Sequence, residues 1–116
     1  MTEPDPTRLR ARKALSDLFL DSDVAALEDA IVRALAALPY DVDELEAILL
    51  WEVYPACRRN LATVAGVWDG FSEAWLCEHV RPRSWLARLH TATFGRCWVR
   101  RSPEWRRIRA RLAALR

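Results

Sequence analysis

Residues Val24–Leu38 read Val-Ala-Ala-Leu-Glu-Asp-Ala-Ile-Val-Arg-Ala-Leu-Ala-Ala-Leu, and this stretch decides the fold. Val24, Leu27, Ile31, Ala34, Leu35 and Leu38 recur at steps of three and four, which places them on one face of a helix. A strand would need every second residue apolar. Asp21, Ser22 and Asp23 precede the stretch and are N-cap candidates. Pro39-Tyr40 ends it.

The helical period continues on both sides. Toward the N-terminus, Thr7 is placed to cap a first helix that runs to about Leu20. Its stripe is Leu15, Leu18 and Phe19, extended one turn earlier by Leu9 and Ala11. Residues 1–6, with two prolines, read as a disordered lead. Toward the C-terminus, Asp41 followed by Glu44 has capping-box spacing, with Asp in the Ser/Thr place. Leu45, Ile48 and Leu49 then face inward. Tyr54 precedes Pro55 and is biased away from helix, so a break is expected there, with Pro55 opening a fourth helix. That helix reaches Ala65, and Gly66 is its left-handed cap. Asp69-Gly70 is a turn signal. Ser72 caps a fifth helix to about Val80 that buries Trp75, Leu76 and His79. Pro82 and Ser84 open a sixth, Gly95 closes it, and Trp98 falls in a linker. Ser102-Pro103-Glu104 starts the last helix with a cap, a first-position proline and an acid. Trp105, Ile108, Leu112 and Leu115 line its inner face. The expected fold is all-α, a compact bundle of about five to seven helices with short loops.

The chain has 116 residues, which suits one domain over residues 7–116. With 52% hydrophobic residues it can fill a core without staples. No apolar run approaches the roughly 18 residues of a membrane span, since Ile31–Leu38 is interrupted by Arg33. The N-terminus carries Glu3 and Asp5 and lacks the basic-then-apolar order of a secretory signal. A cytoplasmic location is expected, with no membrane partner. Cys57, Cys77 and Cys97 form an odd set in apolar contexts. They read as reduced core thiols and not as a disulfide framework.

The net charge of +2 conceals an asymmetry: residues 1–56 carry −7 and residues 57–116 carry +9. Such a chain can pair its halves or present two faces to partners.

Few constellations carry chemistry. Structural zinc sites build on closely spaced ligand pairs. Here Cys77-x-His79 is the lone close couple, with Cys57, Cys97 and His90 elsewhere, so no metal is expected. Cys77 and His79 are two apart on a helix and point away from each other, which defeats a nucleophile–base pair. Three glycines leave no phosphate cradle. No cofactor, no metal and no catalytic residue is expected, and the chain reads as a non-enzyme. Glu52 lies on the apolar stripe, where it is expected to pair with Arg58 or Arg59 or to accept backbone N–H bonds. Arg100, Arg101, Arg106, Arg107, Arg109, Arg111 and Arg116 cluster at the C-terminus, where guanidinium suits phosphate. They also suit a solvated helix face paired with the acidic front, and no aromatic is interleaved among them for base stacking. Six tryptophans are many for this length. Most belong in a core, with Trp51 and Trp98 the candidates for exposed interface anchors.

Three stretches also carry a family resemblance: Ala14-Leu-Ser-Asp-Leu-Phe-Leu-Asp21, Leu38-Pro-Tyr-Asp-Val-Asp-Glu-Leu-Glu-Ala-Ile-Leu49 and Glu52-Val-Tyr-Pro-Ala-Cys57. The most specific part is Asn60-Leu-Ala-Thr-Val-Ala-Gly-Val-Trp-Asp-Gly-Phe-Ser-Glu-Ala-Trp-Leu76. Together they resemble a family of small stand-alone bacterial proteins of unknown function, over roughly Arg12 to Val80. On this reading residues 7–80 are the family-like core and residues 81–116 a basic C-terminal extension packed on it. The resemblance implies no catalytic residues. Its implied setting is small bacterial proteins sometimes encoded near secreted toxins.

The leading functional expectation is a bacterial immunity protein that neutralises a cytoplasmic-acting toxin or secreted effector by direct protein–protein binding. Its contact candidates are Asp17, Asp21, Asp23, Asp43, Glu46, Trp51 and Trp98. The alternative is a nucleic-acid-binding protein using Arg100, Arg101, Arg106, Arg107 and Arg111.

Overall fold

The period that dominates the sequence is realised throughout the computed structural model, which describes residues 5–19, 27–62, 73–80 and 84–115. Every regular element among these residues is helical. In order they are α1 (Pro6–Ser16) with a 3₁₀ turn (Asp17–Phe19), α2 (Glu28–Ala36), α3 (Val42–Ile48), α4 (Tyr54–Ala62), α5 (Glu73–His79), α6 (Trp85–His90), α7 (Arg96–Arg101) and α8 (Pro103–Ala114). The fold is all-α. Asp21, Ser22, Asp23, Val24, Gly66, Asp69, Gly70, Ser72 and Pro82 lie outside the described residues, as does the side chain of His79.

Local chemistry explains most of the helix starts. Asp41 accepts from the Glu44 N–H at 2.7 Å, and Glu44 Oε1 accepts from the Asp41 N–H at 3.3 Å, a complete capping box. Ser102 Oγ accepts from the Trp105 N–H at 3.2 Å, with Pro103 at the first position. Ser84 caps α6 through the Ala87 N–H. The first helix starts earlier than expected: Asp5, not Thr7, is its cap, accepting from the Thr7 N–H at 3.0 Å. Asp5-Pro6 is itself a cap followed by a first-position proline, so residues 5 and 6 belong to the helix and not to a disordered lead.

The two expected breaks are both absent, and for one reason. Residues Leu49–Val53 form a π-helical turn that joins α3 to α4 without interruption, with the Tyr54 N–H reaching the Leu49 carbonyl. Pro55 has no N–H to give, and its ring would crowd a carbonyl one α-turn back. The wider turn absorbs both defects. Residues Thr91–Gly95 form a second π turn that joins α6 to α7, with the Arg96 N–H reaching the Thr91 carbonyl. Gly95 does not cap anything. Its backbone is right-handed helical (φ −64°, ψ −45°), and its missing side chain admits the Tyr54 ring.

The two π turns pack against each other. α1 packs on α2, the first π turn and α5, while α8 lies across α2 and α3. Phe19, fully buried, is the hub between them: its ring stacks on Trp98 at 4.6 Å and meets Tyr54 edge-on at 6.3 Å. Trp98 therefore sits in a helix against the core and is not an exposed anchor in a linker. On α2, Ile31 and Leu35 are buried as the stripe requires, but Val32 is buried and Ala34 exposed. The inner face is turned toward α8. Trp105, Ile108 and Leu112 are fully buried, whereas Leu115 is exposed, because α8 outruns the bundle at its last turn. Cys57 is buried, and that burial pushes its thiol up to about 12. Cys77 and Cys97 are exposed and do not serve as core hydrophobes.

Candidate functional site

Two helix faces meet to form a groove of about 240 Å³. One wall comes from α3 and the π turn that follows it: Asp43, Glu46, Ala47, Leu50 and Trp51. These positions are spaced three or four apart and share a face. The other wall is Arg96, Val99 and Arg100 of α7, again one face. Carboxylates thus stand at one side, guanidiniums at the other, and Leu50 with Val99 forms a buried apolar floor. Trp51, 37% exposed, lies at the rim, and the Arg96 guanidinium sits 5.7 Å from its ring centroid. That distance is within cation–π range.

The acids of this groove are not loose. Glu46 Oε1 accepts from the Trp105 indole N–H at 3.0 Å. Arg109 reaches Asp43 at 2.8 Å and Glu46 at 3.3 Å. The hydrogen bond that Arg109 donates to Asp43 holds the guanidinium more firmly protonated than usual, against the opposing pull of burial. Its Nη1 is buried beside Glu46 yet not aligned to donate a hydrogen bond. Asp43 itself remains 85% exposed and open to a partner.

The remaining candidates are dispersed. Asp17 sits at the end of α1, half-buried and 3.8 Å from Lys13. Burial raises its carboxyl above the ordinary value, with Lys13 opposing. Asp21 and Asp23 fall outside the described residues, and among the described partner-contact candidates Asp43, Glu46 and Trp51 converge. Of the basic set, Arg107 pairs with Glu28 at 3.1 Å, and Arg111 pairs with Asp29 at 2.7 Å. Arg100, Arg101 and Arg106 are exposed and carry no ion pair among the described residues. Helix α8 thus spends three arginines, Arg107, Arg109 and Arg111, on the acidic front half.

Glu52 finds partners other than Arg58, and the side chain of Arg59 lies outside the described residues. Arg8 and Arg12 of α1 clamp it from across the bundle, each at 2.6 Å. The Glu52 hydrogen bond keeps Arg8 more firmly protonated, and Arg8 also lies 5.8 Å from the Tyr40 ring centroid. A carboxylate held by two guanidiniums is a strut between α1 and the first π turn.

Among the described residues, no group of three or more His, Cys, Asp and Glu is arranged to hold a metal ion. A family model described as a domain of unknown function, DUF7079, matches residues 6–114. The chain belongs to the DUF7079 family. The match spans α1 through α8, so the basic helices after residue 80 lie within the DUF7079 domain. No curated protein and no solved structure matches the chain.

Sequence reasoning missed the α7 wall of the groove. Arg96, Val99 and Arg100 have the spacing of one helix face, but reading Gly95 as a terminator hid the helix that carries them. It also missed an apolar ridge on α6 and the second π turn, formed by Trp85, Leu86, Leu89 and Phe94. The signal available was the spacing of Trp85, Leu86 and Leu89, which share one side of a helix, while the small or polar Ala87, His90 and Thr91 turn toward the core.

Proposed function

We propose that this DUF7079 protein is a non-enzymatic binding protein that engages a protein partner through the groove between α3 and α7. The observation that carries this reading is the convergence of Asp43, Trp51, Arg96 and Arg100 around an apolar floor. Exposed tryptophan and arginine beside a small apolar recess are the residue types that dominate binding energy at protein interfaces. The recess is smaller than the roughly 300–1,000 Å³ of small-molecule pockets and suits one inserted partner side chain. Its carboxylates, Asp43 and Glu46, are engaged by Arg109 and Trp105. Within this reading, the specific role is neutralisation of a bacterial toxin acting in the cytoplasm, as the gene setting implied by the sequence resemblance suggests. The nucleic-acid alternative is supported less well, because Arg107 and Arg111 are engaged in ion pairs with Glu28 and Asp29.

The test is co-expression and co-purification with the products of the flanking genes, followed by titration of the complex. Asp43→Lys and Trp51→Ala should each weaken a complex at least about tenfold, as expected for an interface anchor. Glu46 is unsuitable as a probe, since its loss also strips the Trp105 indole of its acceptor. No complex with any flanking product, together with steeply salt-dependent binding to DNA or RNA, would overturn the proposal in favour of the alternative.

A further inference from the structure

The ridge on α6 and the adjoining π turn is separate in its apolar residues from the groove, and its chemistry points elsewhere. Trp85, Leu86, Leu89 and Phe94 are 73%, 61%, 54% and 65% exposed. Trp85 and Leu89 are four apart, and Leu86 and Leu89 three apart, so they adjoin along the helix. The wider π turn brings Phe94 back toward the same side. The segment from Ser84 to Arg101 contains Arg88, Arg96, Arg100 and Arg101 and not one carboxylate. All four arginines are exposed, and none has a carboxylate partner among the described residues.

We propose that this ridge is an interfacial anchor that seats the protein on an anionic lipid surface. Trp, Leu and Phe on one side of a helix with arginines flanking them is the composition of helices that lie in the headgroup region, apolar side down. Arginine stems follow the apolar side chains while the guanidiniums reach phosphate. Charge selects this occupant over the others. A second copy, packed ridge to ridge, would set arginines against arginines across a two-fold axis. Protein interfaces are mosaics of both signs that match patch to patch, whereas Arg88 and Arg101, which do not line the groove with Asp43 and Glu46 and have no carboxylate partner among the described residues, match a continuous polyanionic plane. No helix among the described residues is long and apolar enough to cross a membrane.

The experiment uses the full chain with vesicles of phosphatidylcholine alone or mixed with phosphatidylglycerol, read by co-sedimentation and by the blue shift of tryptophan emission. Binding is expected to the anionic vesicles and not to the neutral ones, and to fall as salt shortens the Debye length toward about 3 Å at 1 M. Leu89→Glu with Phe94→Glu should reduce partitioning about tenfold or more, and Arg88→Gln with Arg101→Gln about fivefold per arginine. Circular dichroism and the Tm confirm that each variant is folded, since the altered side chains face solvent. Absence of binding to anionic vesicles overturns the proposal. So does undiminished binding by the Leu89/Phe94 variant, or a concentration-dependent dimer that the same variant abolishes. Inert vesicles combined with ridge-dependent binding to polyglutamate would assign the ridge to an acidic protein instead. The groove variants Asp43→Lys and Trp51→Ala should leave vesicle binding intact, so the two proposals fail separately.

Discussion

Replacing Gly95 by alanine sets two opposing effects against each other at one atom. A Cβ at this position would lie 3.0 Å from Tyr54 Cε1, 3.1 Å from Tyr54 Cδ1 and 3.1 Å from Leu50 Cδ1. The backbone is ordinary right-handed helix, so alanine gains about 0.8–1 kcal/mol from helix propensity. Overpacking a core costs about 1–3 kcal/mol. Leu50 can swing its methyl away, but the Tyr54 ring cannot retreat. It is flanked by Phe19 at 6.3 Å, Trp98 at 5.8 Å and His90 at 6.3 Å between ring centroids. Packing therefore wins, and Gly95→Ala should lose about 1 kcal/mol net, which lowers the Tm by roughly 4 °C. Gly95→Val adds two more methyl groups on the same side and should lose about 3 kcal/mol. Urea unfolding with an unchanged m-value measures both. If Gly95→Ala instead stabilises the protein by about 1 kcal/mol, the ring yields freely and the packing argument is wrong.

Other expectations follow from the same contacts. Glu52→Gln keeps the shape but removes the charge that two guanidiniums share, so it should destabilise by about 1–3 kcal/mol; an Arg12→Gln, Glu52→Gln double-mutant cycle without coupling would refute the clamp. Asp17 has a raised folded-state pKa, so its ionisation costs stability as pH rises from the unfolded value of 3.8 through the folded one. Asp17→Asn should therefore be more stable than the parent at pH 7, with the advantage fading as pH falls through that window; a pH-independent difference in Tm would exclude this cause. In the native protein, Cys77 and Cys97 should react with a thiol reagent while Cys57 waits for unfolding, because it is buried and titrates only at about 12; mass spectrometry counting three rapid adducts would contradict the packing. Truncation after Arg101 removes Trp105, Ile108 and Leu112, each worth about 1.5–3 kcal/mol, and should abolish cooperative unfolding; an intact melting transition would show α8 to be dispensable.

Much of this molecule is legible where a local chemical rule acts alone. Asp41 with Glu44, and Ser102-Pro103 with Trp105, start their helices as their side chains dictate, and Ile31, Leu45, Ile48 and Ile108 are buried as the helical period requires. The misreadings occur where a tertiary contact overrides the local rule. Pro55 and Gly95 are breakers by propensity, yet one follows directly on a π turn and the other ends one without interrupting the helix, and the two turns brace each other. Trp98 belongs at the surface only if Gly95 ends the preceding helix, and it does not. Of the candidate site, Asp43, Glu46 and Trp51 are a helix face that spacing reveals, but nothing local says that Arg96 and Arg100 stand opposite. Glu52 shows the same limit: its partners, Arg8 and Arg12, lie some forty residues away along the chain.

The paired π turns also govern how this fold tolerates a change in length. A π turn holds one residue more than the α-helical path around the same axis, so it acts as a one-residue insertion stored inside a helix. Deleting a single residue from Thr91–Gly95 would let the turn close to plain α-helix while the later side chains of α7 keep their directions, so Trp98 would stay against the Phe19 ring. A residue lost from α7 while the turn stays as it is would rotate every later side chain by roughly 100°. A point deletion is thus absorbed inside the turn and is a change of phase beyond it. Single deletions scanned along residues 91–101 would map where the helix keeps count.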